Sequence, residues 1–160
     1  MKLDILAFAA HPDDIELACG GTVIKHVKNG KKVGIVDLTE GELGSRGSRE
    51  LRKIEASNSS DILGVSVRNN LNLGDGFFEI NEENLLKIII EIRKYQPEIV
   101  LCNALKDRHP DHARGGDLVK RACFLAGLVK IETSFDGKPQ EKCRPKQVYH
   151  YIHDEYIAPD

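Results

Sequence analysis

Two short segments hold most of the side chains that could do chemistry: Ala10-His11-Pro12-Asp13-Asp14 near the start, and His109-Pro110-Asp111-His112 far downstream. Each mixes imidazole with carboxylate, the ligand types zinc favours. Catalytic zinc sites use three protein ligands and keep one position open for water. Pro12 fixes its own φ and biases His11 towards extended geometry, which stiffens the loop where ligands must be placed. Taken singly, either cluster also has a structural reading, with Asp13 or Asp14 capping a helix and His11 ending a strand. Four arginines accompany the clusters: Arg46, Arg49 and Arg52 on one stretch, and Arg108 immediately before His109. Arg46 and Arg49 read equally well as solvated charge. Guanidinium forks suit carboxylates, so Arg52 and Arg108 point to an anionic substrate.

Whether the two clusters meet depends on the elements that carry them. Leu3 to Ala10 reads as a strand, Leu17 to Asn29 as a helix ended by Gly30, and Lys32 to Leu38 as a second, β-branched strand. Arg49 to Leu63 is helical and stopped by Gly64, and Val67 to Leu73 is a weaker strand. Asn81 caps a helix whose Leu85, Ile88, Ile89 and Ile92 fall on one face, with Pro97 just past its end. Glu98 to Asn103 is the fourth strand, and Asp111 to about Leu128 the fourth helix. Lys130 to Lys146 is polar and reads as an exposed insertion; Gln147 to Ile152 returns to strand character. Such alternation implies parallel strands with right-handed crossovers, hence a three-layer, Rossmann-like α/β fold occupying 1–160 as one domain. In a 3-2-1-4-5 strand order, strands one and four are neighbours where the winding reverses, and ligands bind beyond their carboxyl ends. His11 follows strand one and His109 follows strand four. The two clusters are therefore expected to face each other, although spacing alone does not say which three of the six side chains would hold a metal.

Composition narrows the function classes. The 160 residues are 41% hydrophobic and 30% charged, as in an ordinary globular protein. A net charge of −2 and a pI near 6.3 argue against a general affinity for nucleic acid. No stretch approaches the roughly 20 apolar residues that cross a membrane. Asp4 interrupts the first apolar run, so a cleaved signal peptide is not expected. Cys19, Cys102, Cys123 and Cys143 form no Cys-x-x-Cys pair and read as reduced, mostly buried thiols of a cytoplasmic protein. Gly20-Gly21 opens no dinucleotide fingerprint, and Gly41 to Gly47 lacks the Gly-Lys-Ser/Thr of a phosphate loop. His26 reads as an exposed helical residue, and His150 and His153 as packing or solvent-facing.

The two His-Pro-Asp segments, extended by the glycine-rich stretch Thr39 to Gly47, resemble the LmbE-like, or PIG-L, family of zinc-dependent N-acetylglucosaminyl deacetylases over nearly the whole chain. The branch that deacetylates N-acetylglucosaminyl-malate in bacillithiol biosynthesis is the most similar. The resemblance implies His11, Asp14 and His112 as zinc ligands, Asp13 as general base and His109 as stabiliser of the oxyanion. It further implies that Asp111 holds His109 in orientation and that Arg52 contacts substrate. Where the family often has Asp-Asp-Glu, here Ile15 precedes Glu16. The implied partners are a small N-acetylated amino-sugar conjugate and further copies of the chain, since related enzymes form hexamers. Related chains also continue past Ala158-Pro159-Asp160, so the C-terminal wall of the pocket is expected to be incomplete. Two other readings follow: an amidase of thiol-sugar conjugates, and a truncated, non-catalytic sugar-binding module.

Overall fold

The computed structural model describes residues 1–156 and 158. The ending Ala158-Pro159-Asp160 is therefore only partly in view, with Pro159 and Asp160 outside the described residues. The elements run β1 (Ile5–Ala9), α1 (Asp14–Lys28), β2 (Val33–Asp37), α2 (Arg49–Leu63), β3 (Val67–Asn70), α3 (Glu82–Tyr95), β4 (Ile99–Asn103), α4 (Pro110–Ala126), β5 (Ser134–Phe135), β6 (Lys138–Pro139) and β7 (Gln147–Tyr151).

Five strands form one sheet in the order β3-β2-β1-β4-β7, and every pair in it is parallel. This is the expected order, with β7 as the fifth strand. β1 and β2 lie inside the sheet and are buried at all five positions, as strands covered on both faces are, with β2 ending on the buried Asp37. Alternation along β1 divides the core into two layers. Leu6 and Phe8 pack with Ile88, Ile89, Ile92, Leu118 and Val119 of α3 and α4. Ile5, Ala7 and Ala9 face the other way, with Ile15, Val23 and Leu63 of α1 and α2. Three layers follow directly from a period of two.

The helix ends obey local chemistry. Asn81 and Ser48 accept hydrogen bonds from Asn84 N and Leu51 N, and Gly64 ends α2 at φ 71°. α1 starts earlier than its apolar pattern suggests, at Asp14, because two acidic side chains, Asp14 and Glu16, occupy its first turn. It kinks at Cys19, just before Gly20-Gly21. Gly116 lets α4 approach β4, since a Cβ there would stand 2.4 Å from Asn103 O. The exposed Lys130–Lys146 stretch folds back as the small β5–β6 hairpin. Buried Arg93 ties it down by donating to Ala126 O, Leu128 O, Ile131 O and Thr133 Oγ1.

Candidate metal centre

β1 and β4 pair directly, and beyond their carboxyl ends the two His-Pro-Asp segments come together. Three imidazole rings pack against one another, with centroid separations of 4.6 Å for His11–His109, 5.3 Å for His11–His112 and 4.8 Å for His109–His112. Asp14 Oδ1 sits between two of them, 3.2 Å from His112 Nε2 and 3.8 Å from His11 Nδ1. Asn103 Nδ2, from the end of β4, donates to Asp14 Oδ2. All three expected ligands are buried.

His11 and His112 each have the far ring nitrogen against a carboxylate. His11 Nε2 is 3.1 Å from Asp75 Oδ1, and His112 Nδ1 is 3.0 Å from Asp107 Oδ1. Metal-binding histidines are held in this way, with the outer carboxylate fixing the tautomer and ring angle. The donor set therefore fits a metal ion. Three groups of donor atoms among the described residues lie within 4.8 Å of one another: those of His11, His109 and His112, of His11, Asp75 and Asp111, and of Asp107, His112 and His153. Electrostatics follow the same geometry. Burial alone would lower the His11 pKa, but the hydrogen bond to Asp14 and the charges of Asp14, Asp75 and Asp111 outweigh it and raise it to about 9. Burial would raise the Asp14 carboxyl; its bonds to His11 and His112 win and hold it well below the usual range.

Asp13 occupies the position before α1 with no capping hydrogen bond from its side chain, and it is exposed to a cleft of about 330 Å³. His109 is half-buried on the same cleft. Its Nδ1 accepts from Asp111 N at 3.3 Å, so the neutral ring carries its proton on Nε2. Burial, and then the charges of His11 and His112, keep its pKa below the ordinary value.

The expected hold of the Asp111 carboxylate on His109 is not what the structure shows. Asp111 Oδ2 accepts from Gly76 N at 2.7 Å and stands 3.4 Å from His11 Nε2, while Oδ1 accepts from Arg114 Nη1. The first turn of α4 aims this side chain inwards beneath His11, and the hydrogen bond to His109 comes from the Asp111 backbone N–H. Arg52 enters the cleft, its guanidinium lying over the Gly41–Gly44 turn. Gly41 sits at φ 64°, in the left-handed region, which accounts for glycine there. Arg108 lines the rim, 77% exposed and paired with Asp154 at 2.7 Å. Arg49 pairs with Glu40, and Arg46 is exposed.

Several participants escaped sequence reasoning. Asp75 sits in a Gly-Asp-Gly turn, with Gly74 and Gly76 both at positive φ, and it also accepts from Leu43 N. That sharp turn was the available signal. Asp107, Asn103 and Arg68 carried none. His153 packs, as expected, and its partner is the His112 ring, 5.0 Å away, which puts it on the cleft. His150 packs too, its Nδ1 bonded to Asn103 O.

Residues 6–123 match the family described as PIG-L, GlcNAc-PI de-N-acetylase, and the chain belongs to that family. It is similar to the diacetylchitobiose deacetylase of Thermococcus kodakarensis, at 33% identity over 81% of this chain and 52% of that protein. Among solved structures, the conserved protein TT1542 from Thermus thermophilus superposes with a TM-score of 0.90 at 39% identity, covering 98% of this chain and 69% of that one. GalB, the 4-carboxy-2-hydroxymuconate hydratase of Pseudomonas putida KT2440, superposes at 0.78 with 26% identity, over 92% of this chain and 64% of that one. The chain spans about half the length of the first of these relatives. No helix among the described residues is long and apolar enough to cross a membrane.

Proposed function

We infer that the protein is a zinc-dependent N-deacetylase of a small N-acetylated amino-sugar conjugate, with N-acetylglucosaminyl-malate as the first substrate to test. The observation that carries this reading is the convergence of His11, Asp14 and His112, each imidazole backed by its own carboxylate, beside an exposed and unbonded Asp13. His11, Asp14 and His112 would hold the ion, which when bound supplies Lewis acidity and lowers the pKa of water to about 7. Asp13 then takes the proton from the attacking water and returns it to the leaving amine. His109, its Nε2–H directed by the Asp111 N bond, donates to the developing oxyanion, an interaction worth about 3–4 kcal/mol in comparable sites. Arg52 meets an anionic group on the conjugate. Four free thiols fit a reducing, cytoplasmic setting.

The likeness to a hydratase supports a second reading, in which the same residues activate water for addition to a carbon–carbon double bond. One assay separates the two. The zinc-loaded protein is expected to release acetate from N-acetylglucosaminyl-malate or diacetylchitobiose, and a chelator to abolish the release. Hydration of 4-carboxy-2-hydroxymuconate without acetate from any amino sugar would establish the second reading instead.

A further inference from the structure

The ligand loop is held from behind by an ionic knot that the chemistry above does not use. Arg68, on β3, is 8% exposed, and all of its donors are engaged. Nε and Nη2 grip both oxygens of Asp37 at 2.7 and 3.0 Å, at the end of β2. Nη1 donates to Glu16 Oε1 in the first turn of α1, and to Ala56 O in α2. Nη2 also donates to Pro12 O at 2.6 Å. That carbonyl belongs to the residue between His11 and Asp13. One guanidinium thus ties the peptide linking a metal-ligand candidate and the general-base candidate to β2, α1 and α2 at once. Glu16 is further locked by Ser59 Oγ.

Structural stability alone does not call for this arrangement. Arg68 is a single cation facing two buried or half-buried carboxylates, and burial raises the Asp37 pKa to about 6 in spite of the Arg68 bonds. Burying ion pairs costs desolvation that Coulomb attraction often fails to repay, whereas apolar side chains of similar volume pack at no such cost. A fork of fixed geometry gains something else: it sets the direction of the Pro12 carbonyl, which an apolar side chain could not do.

We propose that Arg68 is a positioning residue whose bond to Pro12 O sets the His11–Asp14 loop in the geometry that binds metal and presents Asp13. The proposal rests on the deacetylase reading for its catalytic half and is independent of it for its metal half. Arg68 also lines a cavity of about 630 Å³ shared with Pro12, Asp37 and Ala56, so a small cation can reach its place from solvent.

The test uses Arg68→Ala and Arg68→Lys in the purified chain, with zinc affinity from chelator competition and kcat and KM from acetate release. Arg68→Ala is expected to weaken zinc binding and lower kcat, each by about 10- to 100-fold, the usual effect of losing an outer-shell partner, with KM little changed. Guanidinium chloride at millimolar levels, far below the molar range that unfolds proteins, should restore both, and urea should not. Arg68→Lys keeps a charge for Asp37 without the fork, so it should fold and remain impaired. Wild-type zinc affinity in a folded Arg68→Lys protein overturns the proposal, and this arm decides if Arg68→Ala does not fold. So does a folded Arg68→Ala protein whose defects guanidinium leaves untouched. If the wild type releases no acetate, the deacetylase reading fails, and the zinc-affinity arm still judges the role of Arg68.

Discussion

The two loops that meet at the site leave neighbouring strands, yet they are built differently. Between β1 and α1, nearly every backbone polar group is anchored. Ala10 N donates to Asn103 Oδ1, Ala10 O accepts from Thr39, His11 N donates to Asp14 Oδ2, and Pro12 O accepts from Arg68. Between β4 and α4, Leu105, Lys106 and Arg108 are exposed. The ties there are surface pairs, Lys106–Glu155 at 3.0 Å and Arg108–Asp154 at 2.7 Å. Exposed pairs of this kind contribute little, because solvent screens them. Ala104 is buried at the start of the second loop, and Asp107 and His109 turn inwards. The first loop supplies fixed chemistry, and the second supplies one fixed wall and one adaptable rim.

The sharpest way to break this contrast is Asp13→Asn, which changes the one exposed side chain of the rigid loop. Asparagine has the same shape and cannot accept the proton. A fall in kcat of about 100- to 10,000-fold is expected, with zinc content by metal analysis and Tm unchanged, since no hydrogen bond of the Asp13 side chain caps α1. Full turnover by the variant would remove Asp13 from the chemistry and leave the loop a ligand holder only.

A smaller effect tests the inward side of the second loop. Asp107 accepts from His112 Nδ1 and from His109 N, so its carboxylate orients a ligand candidate and the oxyanion donor together. Asp107→Asn should weaken zinc affinity by about 10- to 100-fold, as loss of an outer-shell carboxylate commonly does. Asp75→Asn should do the same through His11. Chelator competition measures both. Equal zinc affinity in all three proteins would mean that the imidazoles are held by packing rather than by these carboxylates.

What could be read from the sequence follows the range of each interaction. Local rules placed the strands, because β1 is an unbroken apolar run, β2 is rich in β-branched residues up to Asp37, and Gly64 and Asn81 punctuate the helices around them. Parallel alternation then placed His11 and His109 at adjacent strand ends. The partners that orient them were not legible. Asp75 is 64 residues from His11, and Arg68 is 56 residues from Pro12. No periodicity or spacing links such pairs, which are neighbours only once β2 and β3 lie beside β1. The Asp111 assignment failed for a related reason: adjacency to His109 in sequence says nothing about which way the first turn of α4 aims a carboxylate. The place of His153 beside the cleft was not legible because it depends on the end of β7 lying over His112.

The smallest expected effects compare the two arginines. Arg52 is seated over Gly41 and Gly44 and lines the metal cleft together with two adjoining cavities, with no acidic partner among the described residues. Arg108 stands in solvent and already has one. A charge-assisted bond contributes about 1.5–3 kcal/mol, so Arg52→Ala should raise KM for an anionic conjugate by about tenfold or more, and much less for neutral diacetylchitobiose. Arg108→Ala should change KM for either substrate by no more than a few-fold, as exposed pairs allow. Steady-state kinetics on both substrates reads the difference. If Arg108 proves the larger determinant, the exposed loop closes over substrate, and the contrast between a fixed loop and an adaptable rim becomes one between resting and loaded states.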